Sequence, residues 1–85
     1  MKFIMSEDGS AIVNVALVEM FYVDSGYNNN DEIAGEFCAE VRARLAAEGE
    51  NITLKAFYSS DEDKAVALAK KYLASLFMDL NGGKP

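Results

Sequence analysis

The sequence predicts an α+β fold, an antiparallel β-meander of about five strands packed against one C-terminal amphipathic helix. Three observations predict it. Apolar and polar residues alternate without a break from Phe37 to Leu45. A turn signal, Glu48-Gly49-Glu50-Asn51, separates that run from a second one at Ile52–Tyr58. From Ser59 onward the apolar period changes from two to 3.6, the mark of a helix with one face to bury.

The first element in chain order is a hairpin. Lys2–Met5 (KFIM) and Ala11–Val13 (AIV) flank Ser-Glu-Asp-Gly-Ser, and Asp8-Gly9 is a hairpin-turn signal because glycine accepts the positive φ the turn requires. Asn14–Leu17 reads as a short connection or single helical turn, with Asn14 able to cap it. Val18–Val23 (VEMFYV) is β-branched and aromatic and reads as a strand that stops at Asp24-Ser25-Gly26. The stretch YNNND that follows is the best loop candidate, since Asn28–Asn30 tolerate left-handed backbone and bond their own main chain.

Glu32–Ala47 supports two readings. Its Ala, Glu, Arg and Leu content favours a helix capped by Asp31, with Ile33, Phe37, Val41 and Leu45 four residues apart. A helix, however, sets Glu40 and Arg44 inside that apolar stripe. A strand puts Phe37, Ala39, Val41, Ala43 and Leu45 on one face, and Cys38, Glu40, Arg42 and Arg44 on the other. The alternation favours a strand from about Glu36, with Glu32–Gly35 as its approach.

In the next strand Ile52, Leu54 and Ala56 share a face, and Phe57 is out of phase with them; a bulge there would swing Phe57 under the helix. Ser59 and Glu62 fit a capping box, while Asp61, Glu62 and Asp63 sit where the helix dipole favours negative charge. Ala65, Val66, Ala69, Tyr72, Leu73, Leu76, Phe77 and Leu80 form a stripe roughly 140° wide that is expected to pack on the sheet. Asn81-Gly82-Gly83 ends the helix. The reading is one domain over residues 1–81 and a flexible tail over 82–85, with no internal repeat.

The run from Ala43 to Ala65, carrying Glu48-Gly49-Glu50, Ile52-Thr53-Leu54, Phe57 and Glu62, resembles the C-terminal half of a group of small uncharacterised bacterial and phage proteins. The start is similar as well, with Met-Lys-Phe-Ile, then Asp8-Gly9, Ile12 and Asn14; Ser25–Gly35 departs from the pattern as a longer loop. The resemblance implies an antiparallel meander closed by one helix. It brings no activity and no catalytic residues.

Composition narrows function mainly by exclusion. Fourteen acidic against eight basic residues give −6, which opposes nonspecific binding to nucleic acid or anionic lipid. No apolar run reaches the roughly 18 residues of a membrane span, and the acidic start does not read as a secretory signal, so the expected location is the cytoplasm. There is no histidine, hence no imidazole for acid–base work or metal ligation, and one cysteine, hence no CxxC site. No catalytic, cofactor or metal set is expected. Cys38 near Arg42 raises the question of an activated thiol. Asp61-Glu62-Asp63 matches no calcium-loop spacing.

Two binding readings follow. The first is a non-enzymatic protein-interaction module, an accessory or inhibitory protein of a phage or mobile element, docking an acidic surface on a partner. Its candidate interface is Asp61, Glu62, Asp63 and two apolar residues off the core stripe, Leu68 and Met78. A homodimer through the helix face or a sheet edge belongs to the same reading. The second is a dimeric protein that binds single-stranded nucleic acid on a basic sheet face of Arg42, Arg44 and Lys55, with Thr53 and Tyr58 beside them. Cross-strand ion pairs explain those basic residues without any ligand.

Overall fold

A computed structural model describes residues 2–27, 36–47 and 49–82. Its elements are β1 (Phe3–Met5), β2 (Ile12–Asn14), a 3-10 turn (Val15–Leu17), β3 (Val18–Tyr27), β4 (Phe37–Leu45), β5 (Asn51–Ser59) and α1 (Glu62–Leu80). The expectations for Asn28–Asn30, for Asp31–Gly35 and for the tail beyond Gly82 lie outside the described residues.

The fold is α+β, with antiparallel strands and one C-terminal helix, as the sequence predicts. The five described strands divide into two sheets, β1–β2 and β3–β4–β5. The division has a local cause. The Asn14 side chain accepts the Ala16 N–H at 3.0 Å, which starts the 3-10 turn and swings the chain away from the hairpin before β3 begins.

The β1–β2 turn is built by one carboxylate. Asp8 accepts the Ser10 N–H at 2.9 Å and the hydroxyls of Ser10 and Ser6 at 2.7 and 2.8 Å. Those donors, led by the Ser10 N–H, hold the Asp8 carboxyl down to a pKa of about 2. Gly9 takes the positive φ of 74° that the turn demands.

β4 is the central strand, and its alternation is realised. Ala39, Val41 and Ala43 are fully buried on one face, while Cys38, Glu40 and Arg42 are half-buried on the other and Arg44 is exposed. α1 lies over the apolar face with Ala65, Ala69 and Leu76 in the core. Among the described residues four of the eight in the core are alanine, so helix and sheet approach closely over a thin core; Val13, Val41, Leu54 and Leu76 supply its bulk.

Three details differ from expectation. β3 continues through Ser25, Gly26 and Tyr27, because β4 offers Ala39, Cys38 and Phe37 as partners and the Tyr27 and Phe37 rings meet edge-on with centroids 5.4 Å apart. The bulge of β5 falls at Leu54, where the register steps from Arg42–Thr53 to Val41–Lys55. Phe57 does reach the helix, its ring centroid 6.1 Å from that of Tyr72, but Lys55 changes face with it. The bulged Leu54 offers its carbonyl to the Glu7 N–H at 2.8 Å, and this bond ties the hairpin to the larger sheet.

The start of the helix also differs, while its end at Asn81 is as expected. The N-cap is Asp61, which accepts the Asp63 N–H at 3.0 Å; Ser59 instead accepts the Asp61 N–H at 3.1 Å. Asp61→Ala is expected to cost about 1 kcal/mol, and Ser59→Ala clearly less. Urea unfolding of the two variants checks this, and the reverse order would restore Ser59 as the cap. α1 has no basic residue in its last turn. Lys2 substitutes for one, its ammonium donating to the Asp79 and Leu80 carbonyls at 3.1 and 2.8 Å.

Candidate functional site

The basic sheet face does not assemble. Arg42 and Arg44 share the open face of the larger sheet, but each lies beside a carboxylate of β3: Arg42 Nη1 is 3.3 Å from Asp24, and Arg44 Nε is 4.0 Å from Glu19. Arg42 also donates to Thr53 Oγ1 at 3.3 Å, and Thr53 donates to Glu40 at 3.1 Å. Tyr22 closes the row by donating to Asn51 at 2.5 Å. Lys55 stands on the other face, ion-paired to Glu7, with its ammonium 5.3 Å from the Phe57 ring and 5.8 Å from that of Tyr72. The bulge at Leu54 is the physical reason for the separation.

Cys38 and Tyr58 are opposite each other on that open face, beside a shallow hollow of about 280 Å³ that also touches Asp24, Gly26 and Glu40. Burial, followed by the Glu40 carboxylate, pushes the Cys38 thiol up from its ordinary value. The thiol is therefore held protonated at neutral pH, the reverse of an activated nucleophile. The Tyr58 hydroxyl is pushed up as well, chiefly by Cys38 and then by burial. Among the described residues no three Asp, Glu or Cys side chains form a group able to hold a metal ion. None of the described helices is long and apolar enough to cross a membrane.

The candidate protein interface is also dispersed. Asp61, Glu62 and Asp63 are exposed at the start of α1, where Asp61 is engaged as the cap and the other two lie in the first turn. Leu68 and Met78 are exposed, but ten residues separate them, which is about 15 Å along the axis and some 80° around it. Leu68 lines a hollow of about 280 Å³ on the β5 side of the helix, with Phe57, Tyr72, Lys55, Lys71 and Ser75.

A larger apolar hollow is on the β3 side. A groove of about 470 Å³ runs between α1 and β3, lined by Phe21, Leu73, Ala74, Leu76, Phe77 and Leu80, with Lys70 the one charged residue among the described lining. Phe77 was expected in the core stripe; instead it is 64% exposed and forms the groove's outer wall. It follows Leu76 by 100° and so falls past the edge of the face that the sheet can cover. Beside the groove lies β3 itself. It pairs with β4 on one side, and no described strand pairs with it on the other. Sequence reasoning missed this site because Phe77 satisfies the core periodicity and strand order is not written in any one strand.

Compared with known protein families, with curated proteins and with solved structures, the chain matches none.

Proposed function

We propose that this chain is a non-enzymatic protein-interaction module that takes an extended protein segment along the free edge of β3. The segment's alternate side chains seat in the α1–β3 groove. The observation that carries this reading is one of juxtaposition: a ten-residue edge strand lies directly beside an apolar groove whose outer wall is an exposed phenylalanine. Edge backbone groups give a partner strand its main-chain hydrogen bonds, and an adjoining apolar groove gives it side-chain specificity.

Apart from an irregularity between Val18 and Met20, the edge lacks the usual protections. β3 has no proline and no lysine, and its two carboxylates, Glu19 and Asp24, are turned to the arginines of β4. The acidic residues at the start of α1 serve the helix itself, so the docking surface of this proposal is apolar rather than acidic. A role as an accessory or inhibitory protein of a phage or mobile element follows from the resemblance of Met1–Asn14 and Ala43–Ala65 and belongs to the same proposal.

A displayed library of random peptides panned against the immobilised chain tests the reading. Enriched peptides with alternating apolar residues are expected, which protect β3 amides from hydrogen exchange and lose at least about tenfold in affinity against Phe77→Arg. Peptides that bind Phe77→Arg unchanged, or an unenriched library, would overturn it.

A further inference from the structure

We infer that the occupant of the β3–α1 flank is a second copy of this chain, joined by antiparallel pairing of two β3 strands about a two-fold axis. The inference rests on the reading of the flank given above and names its partner.

The first argument is the balance between core and surface. Among the described residues four large aliphatic side chains are buried, whereas ten large hydrophobic ones are 42% exposed or more. A chain of 85 residues with an alanine-rich core has little stability to spare, and self-association is a common remedy at this size. A second copy supplies apolar cover in equal stoichiometry and needs no other gene product.

The second argument is self-complementarity, which a two-fold contact requires. With the axis at Tyr22, Phe21 of one copy faces Val23 of the other on the helix side. On the open side Met20 faces Asp24 and Tyr22 meets its own copy, while Glu19, at the irregularity between Val18 and Met20, lies opposite Ser25, so no carboxylate faces another. Groove then lies beside groove, and the exposed Phe77 of each copy gains apolar cover.

The third argument is area. β3 is about 34 Å long, and a sheet with one helix layer is about 20 Å deep. The flank thus offers roughly 700 Å², close to the ~800 Å² per partner of a specific interface. Charge opposes association in general, since each copy carries −6. The flank is where that opposition is weakest, because the groove contains Lys70 and the β3 carboxylates are paired. Screening the long-range repulsion should therefore tighten the dimer as salt rises, the opposite of a contact held by opposite charges.

Sedimentation equilibrium on the full chain, from low micromolar to submillimolar concentration and at low and high salt, tests this. The expected result is twice the 9.3 kDa chain mass, with tighter association at high salt. Phe77→Arg and Ala74→Arg, both at exposed helix positions, are expected to weaken dimerisation by at least about tenfold while circular dichroism stays unchanged. A wild-type chain that stays monomeric throughout would overturn the inference, as would a dimer that survives both substitutions. The two failures are separable from failure of the docking reading. A monomer that still captures displayed peptides through Phe77 keeps the strand-docking surface and loses only the second copy; a monomer that captures none loses both.

Discussion

Leu54→Ala is expected to lower the unfolding free energy by about 3 kcal/mol, the cost of a buried leucine whose cavity closes only in part. Leu54 is 1% exposed and is the largest fully buried side chain of the core. Much of the remaining core is alanine, which cannot move to refill the space. The loss is a large fraction of the roughly 5–15 kcal/mol that stabilises a domain. Its location adds a second signature. Leu54 occupies the β5 bulge, and its carbonyl holds the Glu7 N–H of the first hairpin. The backbone bond remains in the variant, but its support is loosened, so amides of β1 and β2 should exchange faster than those of β4. Urea unfolding gives the energy and hydrogen exchange the distribution. Leu54→Met, which conserves volume, is expected to cost under about 1.5 kcal/mol. A loss below about 1 kcal/mol for the alanine variant would mean that the bulge is held by its hydrogen bonds rather than by its side chain.

That bulge also marks where the chain stops being legible. The alternation of β4 can be read from Phe37–Leu45 alone, since a half-buried strand writes period two into its own residues. The turns at Gly9 and Gly49, and the cap at Asn14, can be read because their donors and acceptors are sequence neighbours. The register of β5 cannot, because the Leu54 bulge is fixed by an N–H contributed from Glu7, 47 positions earlier. One residue of slip was enough to carry Lys55 away from Arg42 and Arg44 and to undo the basic face. The same limit hid the candidate site. Phe77 fits a 3.6-residue stripe, and what leaves it bare is the width of the three-stranded sheet beneath the helix. Likewise Ser25-Gly26 signals a stop, which β4 overrides by pairing with it. Local chemistry was readable at the turns and at the Asn14 cap, though the cap of α1 moved from Ser59 to Asp61; quantities set by distant strands were not.

Ala69→Leu tests from the opposite direction how the helix is seated, and is expected to cost about 2 kcal/mol by overpacking. Ala69 is fully buried where α1 faces Ala39, Val41 and Ala43, each also fully buried. An alanine layer this dense leaves the added carbons no space unless the helix lifts. In solvent the same change is nearly neutral for helix propensity, so the loss isolates packing. Lifting α1 would widen the β3-side groove, and peptide binding or dimerisation should weaken alongside stability. Combining Ala69→Leu with Val41→Ala returns volume to the same layer, so the double variant should be less destabilised than the two single losses added together. Urea unfolding of all four proteins closes the cycle. Strict additivity would show that Ala69 and Val41 do not share space.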